Sequence, residues 1–124
     1  MLARKEVNKM NKIPTYNWKG YSGKTYTYFT YRLPVDFNLN QPGNYIFSRQ
    51  NTQGNWLPIY IGQGDLNDRV NYHHQTECIR QKGATHFHCH TNSTENDRLE
   101  EESDLLNNHS QSYQPTGCNE SLGG

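Results

Sequence analysis

Apolar and aromatic residues are concentrated in four short segments, each bounded by polar residues, glycine or proline. Residues 25–33 are rich in threonine, tyrosine and phenylalanine, which is typical of a β-strand, and Pro34 marks the end of that strand. Residues 44–48 and 56–61 are apolar, and the short polar loop between them predicts an antiparallel hairpin. Residues 84–90 alternate polar and apolar positions and predict a further strand.

Helical patterns follow two of these strands. Asp65 is a candidate N-cap for a helix over about residues 66–75, and a cluster of polar capping residues precedes a helix over about residues 95–108. We expect residues 1–24 to form a loosely held arm and residues 110–124 to form a loop, because neither segment has a clear hydrophobic period. The pattern predicts an α+β fold with a small central, mostly antiparallel sheet flanked by helices, plus an extra N-terminal strand.

The composition is that of one small domain with a thin core. The chain has 124 residues, of which 31% are hydrophobic, and its mean hydropathy is −1.09. Because 12% of the residues are aromatic, a disordered chain is not expected. No apolar run is long enough to cross a membrane, and the N-terminus lacks the apolar segment of a signal peptide, so a cytoplasmic protein is expected.

The formal net charge is zero, with 12 basic and 12 acidic residues, and this balance argues against a general polyanion binder. The sum hides an asymmetry, since basic residues dominate residues 1–24 and acidic residues dominate residues 95–104. If the protein does bind nucleic acid, a homodimer, a partner subunit or the basic segment over residues 1–24 would have to supply the affinity.

Three cysteines occur, at Cys78, Cys89 and Cys118. Their number is odd and no pair has the CxxC spacing, so the sequence does not predict a disulfide framework. Buried or partly buried thiols in a reducing compartment are the expectation.

The acidic helix places one carboxylate among leucines. On a helical wheel Glu102 lies between Leu99, Leu105 and Leu106. The other acidic side chains near it are expected to face solvent: Glu100, Glu101 and Asp104. A carboxylate that faces a core is unfavourable unless it is paired or bound to metal. Glu102 is therefore expected either to pair with an internal group or, as we favour, to bind a divalent cation such as Mg²⁺.

Several short motifs occur in a specific order along the chain. They are Gly43-Asn44-Tyr45, Tyr60-Ile61-Gly62, Gly62-Gln63-Gly64-Asp65-Leu66-Asn67-Asp68-Arg69 followed by His73, Glu102-Ser103-Asp104-Leu105-Leu106 and Pro115-Thr116-Gly117-Cys118-Asn119. This order resembles the GIY-YIG nuclease superfamily over residues 43–119, as a small stand-alone domain. Residues 1–42 would then be an added basic arm and strand, and residues 120–124 a flexible tail. Asn44 replaces the usual apolar residue and is expected to point away from Tyr45.

The resemblance implies a set of site residues, taken motif by motif: Tyr45, Tyr60, Arg69, His73, Glu102 and Asn119. Tyr45 would act as, or position, the base for an attacking water. Tyr60 would orient the water or the scissile phosphate, and the guanidinium of Arg69 would hold that phosphate.

The remaining matches complete the implied site. His73 lies one helical turn after Arg69 and would assist the tyrosine, with His74 as the adjacent alternative. Glu102 would bind Mg²⁺ or Mn²⁺, and Asn119 would brace the site. The implied activity is metal-dependent hydrolysis of DNA phosphodiester bonds by a one-metal mechanism, with RNA left open as a substrate. The alternative is a module of the same fold that binds nucleic acid or protein without cleavage.

A separate histidine pattern lies in the segment over residues 84–90. His86, His88 and His90 share one strand face, and Phe87 and Cys89 share the other. The histidines would form a polar outer face or, less favourably because they are collinear, bind Zn²⁺ or Ni²⁺.

Overall fold

The computed structural model describes residues 12–74 and 76–120, with the backbone alone for residues 73 and 74. The strands are β1 (Thr15–Lys19), β2 (Thr25–Arg32), β3 (Pro42–Gln50), β4 (Trp56–Asp65) and β5 (His86–Thr91). The helices are α1 (Leu66–His74), α2 (Glu77–Gln81) and α3 (Glu95–Asn108), followed by a 3₁₀ turn at Ser110–Ser112. The strands form one antiparallel sheet in the order β1-β2-β5-β3-β4, which confirms the α+β class.

Side chains alternate between two cores, one on each face of the sheet. Tyr45 and Phe47 of β3 face the larger core, which also contains the buried apolar residues of α1 and α2. Ile46, between them in sequence, faces the smaller core together with Leu105 of α3. The sheet therefore separates α1 and α2 from α3, and β4 forms the edge strand beside α1 and α3.

The hairpin of β3 and β4 is longer than the sequence pattern predicts. We expected the second strand to span residues 56–61, but β4 continues to Asp65, and α1 begins at the next residue. Pairing of β3 with β4 is irregular beyond Phe47, which opposes Tyr60, and this irregularity accommodates Pro58. An edge strand tolerates a proline because one side of its backbone has no strand partner.

The expectation of a loosely held arm over residues 1–24 is wrong for its described part, residues 12–24. There β1 pairs with β2 along its whole length, from Thr15 opposite Phe29 to Lys19 opposite Thr25. Only Trp18 of this strand is buried, so the hydrophobic pattern was too weak to predict the strand. The residues before position 12 lie outside the part described.

The helix α3 has the predicted bounds but a different buried face. Arg98, Glu101 and Leu105 are buried, whereas Leu99 is 43% exposed and Glu102 is half-buried. The expectation that Glu101 faces solvent is therefore wrong. The helix buries its polar residues Arg98 and Glu101 because these have partners in the sheet, and Glu101 accepts a hydrogen bond from the Tyr28 hydroxyl at 2.6 Å.

Asp104 of the same helix is also not simply solvated. Its carboxylate accepts hydrogen bonds from the amide and hydroxyl of Ser22 and from the hydroxyl of Tyr26, at 2.7–2.8 Å. It therefore fastens the β1–β2 turn to α3.

The cysteine prediction is wrong for two of the three residues. Cys78 of α2 and Cys118 near the C-terminus form a disulfide, and Cys89 alone remains a buried thiol. The half-cystines are 40 residues apart in sequence and meet only because α2 and the C-terminal segment pack at the same edge of the sheet. No spacing motif could signal such a pair.

The histidine face of β5 is not the polar outer face that we expected. His88 is fully buried and accepts a hydrogen bond from the indole of Trp18 at 3.0 Å, while burial lowers its pKa to about 3. Among residues 12–74 and 76–120, no group of three or more histidine, cysteine or acidic side chains is arranged to hold a metal ion. None of the helices in the described part is both long and apolar enough to span a membrane.

Candidate active site

The two motif tyrosines lie on the same face of neighbouring strands. Tyr45 of β3 is opposite Gly62 of β4, and its ring stacks against that of Tyr60 with centroids 6.2 Å apart. A β-carbon placed on Gly62 would lie 2.5 Å from the Tyr45 hydroxyl oxygen, closer than packing allows. Because glycine has no side chain, position 62 leaves the space beside the edge strand that the Tyr45 hydroxyl occupies.

The arginine of the motif reaches the tyrosines from the start of α1. The Asp65 carboxylate accepts a hydrogen bond from the Asp68 amide at 3.2 Å, as expected of an N-cap, and so fixes where the helix begins. Gly64 adopts φ +144°, and the side-chain methylenes of Arg69 pass over it. The positive charge of Arg69 lies close enough to Tyr45 to oppose the rise in the pKa of that tyrosine.

Burial and charge act on both tyrosines in the same way. Burial raises the pKa of Tyr45 far above its ordinary value near 10; the neighbouring Tyr60 and Glu102 also raise it, and Arg69 opposes them. The pKa of Tyr60 is raised by burial first and by the charge of Glu102 next, again against Arg69. Both tyrosines are therefore neutral phenols near pH 7, and both respond to the same cation and the same carboxylate.

Glu102 completes this group from the other side of the edge strand. Burial raises the pKa of its half-buried carboxyl group. Among the described residues, no hydrogen bond or positive charge lowers the pKa of this carboxyl group. Its environment thus disfavours an isolated negative charge, and a cation bound there would relieve that cost.

Two contacts that the sequence did not predict fix the turn of α3 before Glu102. The side-chain amide of Asn44 donates to the Arg98 carbonyl at 2.9 Å, and Arg98 in turn donates from Nε to Gln63 at 3.0 Å. Asn44 therefore points away from Tyr45, as expected, and ties β3 to α3. The sequence did offer one signal, because Arg98 is the single basic residue in the acidic segment over residues 95–104. Its partner Gln63, however, lies 35 residues away in sequence.

Asn119 acts on the backbone of the edge strand. Its side-chain oxygen accepts from the Ile61 amide at 2.9 Å, and its side-chain nitrogen donates to the Ile61 carbonyl at 3.0 Å. The amide of Cys118 also donates to the Ile59 carbonyl at 2.8 Å. These groups pair an edge that would otherwise be open, at Ile59 and Ile61 on either side of the motif residue Tyr60.

The structure thus brings together four of the six expected site residues and places a fifth, Asn119, against the strand that carries them. These four are Tyr45, Tyr60, Arg69 and Glu102. His73 belongs to α1, but its side chain and that of His74 lie outside the described part, so the role of either stays a prediction.

Comparisons with known proteins do not identify the chain. No protein-family model matches it, and no curated protein or solved structure matches it either. Over residues 12–74 and 76–120 the structure defines an α+β class with a five-stranded antiparallel sheet and three helices. The likeness to GIY-YIG nucleases stays a prediction from the motifs.

Proposed function

We propose that this protein is a divalent-metal-dependent endonuclease of the GIY-YIG type that hydrolyses DNA phosphodiester bonds. The observation that carries the proposal is the convergence of one cation, Arg69, and one carboxylate, Glu102, on the paired tyrosines at the edge of the sheet. Hydrolysis of a phosphodiester requires a cation that offsets the negative charge of the phosphate and a polar group that orients the attacking water. Arg69 would supply the first, and the two tyrosines would supply the second.

Each residue has a role that its surroundings support. Arg69 would bind the scissile phosphate and stabilise the charge that grows on its oxygens during attack by water. Tyr45 and Tyr60, as neutral phenols, would hydrogen-bond the water and the phosphate. The raised pKa of Tyr45 favours this positioning role over that of a resting phenolate base. Asn119 would hold β4, and hence Tyr60, in place.

Glu102 is the residue that would hold Mg²⁺ or Mn²⁺. A half-buried carboxylate with an elevated pKa, which no hydrogen bond or positive charge among the described residues lowers, fits a cation ligand, and Mg²⁺ commonly binds through one or two carboxylates while keeping its waters. Such an ion supplies Lewis acidity at a phosphoryl oxygen and increases the acidity of bound water.

Nicking of supercoiled plasmid tests this proposal. We expect cleavage by the wild type with Mg²⁺ or Mn²⁺ and none in EDTA. Glu102→Gln should abolish cleavage, whereas Glu100→Gln, an exposed glutamate of the same helix, should cleave as the wild type does. Equal cleavage by the Glu102 variant would refute the metal role.

The zero net charge favours one alternative, a module that binds nucleic acid or protein without cutting. That alternative predicts no cleavage of any DNA or RNA form by the wild-type protein under conditions where binding is measurable.

A further inference from the structure

A cleft of about 430 Å³ opens directly beside the candidate active site. One wall contains the Tyr60 ring, another contains Tyr72 of α1, and Ile79 and the Cys78–Cys118 disulfide also line it. Its volume is within the range of small-molecule sites, and both polar and apolar groups line it. Because Tyr60 belongs to both, the cleft and the proposed phosphate site are neighbours.

Tyr72 joins the cleft to the residue that would bind phosphate. It lies three positions after Arg69, on the same side of α1, and the guanidinium carbon of Arg69 is 5.1 Å from the centroid of its ring. The Tyr72 side chain is 60% exposed, so part of its surface faces solvent. A phosphate held by Arg69 would therefore have its adjoining nucleotide at the mouth of the cleft.

The chemistry of the cleft suits a nucleobase better than a second phosphate. The exposed carboxylate of Glu120 lies at its lining and would repel a phosphate, but carboxylates accept hydrogen bonds from the amino groups of bases. The rings of Tyr60 and Tyr72 offer flat surfaces on which any base can stack.

We propose that this cleft receives one unpaired nucleobase of the substrate strand, stacked on Tyr72, next to the phosphate that Arg69 binds. This inference rests on the proposed function for the phosphate at Arg69. A base within a duplex must first be unstacked and unpaired before it can enter the cleft, so the preferred substrates are strands with an unpaired base near the cleavage point, such as flaps, gaps or single-stranded ends.

Fluorescence anisotropy tests the base site without cleavage, in EDTA. The probes are a labelled 12-nucleotide single strand and a labelled flush duplex of the same sequence. We expect the wild type to bind the single strand more tightly. Tyr72→Ala should weaken single-strand binding about tenfold, the usual effect of losing one stacked base. Tyr72→Phe keeps the ring and should bind as the wild type does.

A matched control is Tyr21→Ala, which removes a tyrosine that is 75% exposed on the turn between β1 and β2. This variant should bind both probes like the wild type, and the thermal midpoint of each variant verifies folding. Unchanged single-strand binding by the Tyr72→Ala variant, equal weakening in Tyr72→Phe, or no binding of the single strand by the wild type would each overturn the base site.

The outcomes also separate this inference from the proposed function. Single-strand binding that depends on Tyr72 without plasmid cleavage by the wild type would retain the base site and reject the nuclease. Cleavage that depends on Glu102, together with single-strand binding and flap cleavage unaffected by Tyr72→Ala, would retain the nuclease and reject the base site.

Discussion

Reduction of the Cys78–Cys118 disulfide is expected to make the protein easier to unfold. The bond joins residues 40 apart, and in the chain-entropy account a closed loop of that length stabilises the folded state by about 4 kcal/mol. The bond also anchors Cys118, whose amide pairs with the Ile59 carbonyl of the edge strand. Loss of the bond therefore releases the covalent hold on the segment that braces β4.

Urea unfolding of the air-oxidised protein, with and without a phosphine reductant, measures this effect. We expect the reductant to lower the free energy of unfolding by about 4 kcal/mol in the wild type. The double variant Cys78→Ser, Cys118→Ser should have the lower free energy of unfolding in both conditions, because it has no disulfide to reduce. Thiol titration in urea should find one thiol per chain, Cys89, before reduction. Three titratable thiols in the air-oxidised protein, or equal stability in both conditions, would refute this reasoning.

Three further perturbations follow from the contacts described. Asn119→Ala removes both of its hydrogen bonds to the β4 backbone and should lower the free energy of unfolding by about 2 kcal/mol in urea; an unchanged midpoint would contradict the brace. Burial lowers the pKa of His90, but its hydrogen bond to Glu101 and the charge of that residue raise it more, so the folded-state pKa lies above the ordinary 6.5. The stabilisation is therefore complete below pH 6.5 and is lost as the pH rises through the folded-state pKa; urea midpoints between pH 5 and 9 should show this loss in the wild type and not in His90→Gln. Gly62→Ala forces a β-carbon against the Tyr45 hydroxyl and should lower both the thermal midpoint and the nicking rate, whereas wild-type values for both would contradict the packing described.

Local patterns in the sequence predicted those parts of the fold that depend on neighbouring residues. The helix over residues 95–108 has the expected bounds, because its polar cap and its composition are contiguous. The buried face of that helix was not predictable, since Arg98 and Glu101 are buried only because distant strands supply Gln63 and Tyr28 as partners. The same reason explains why a disulfide between residues far apart was missed.

The candidate site likewise has a part that the sequence predicted and a part that it could not predict. Motif order singled out Tyr45, Tyr60, Arg69 and Glu102, and the fold brings these side chains within reach of one another's charge. The cleft beside Tyr72 could not be predicted, because its walls come from α1, α2 and the C-terminal segment and exist only after these pack together.

The measurement that tests the central claim most directly is the rate of plasmid nicking at saturating Mg²⁺ for Arg69→Ala against Arg80→Ala. Arg80 is an exposed arginine on α2 that does not contribute to the pKa shift of either tyrosine, and it serves as a matched loss of one positive charge. We expect the Arg69 variant to lose about 100-fold or more in rate, the usual effect of removing one group that stabilises the transition state, and the Arg80 variant to retain the wild-type rate. Equal rates for the two variants would contradict the proposed active site.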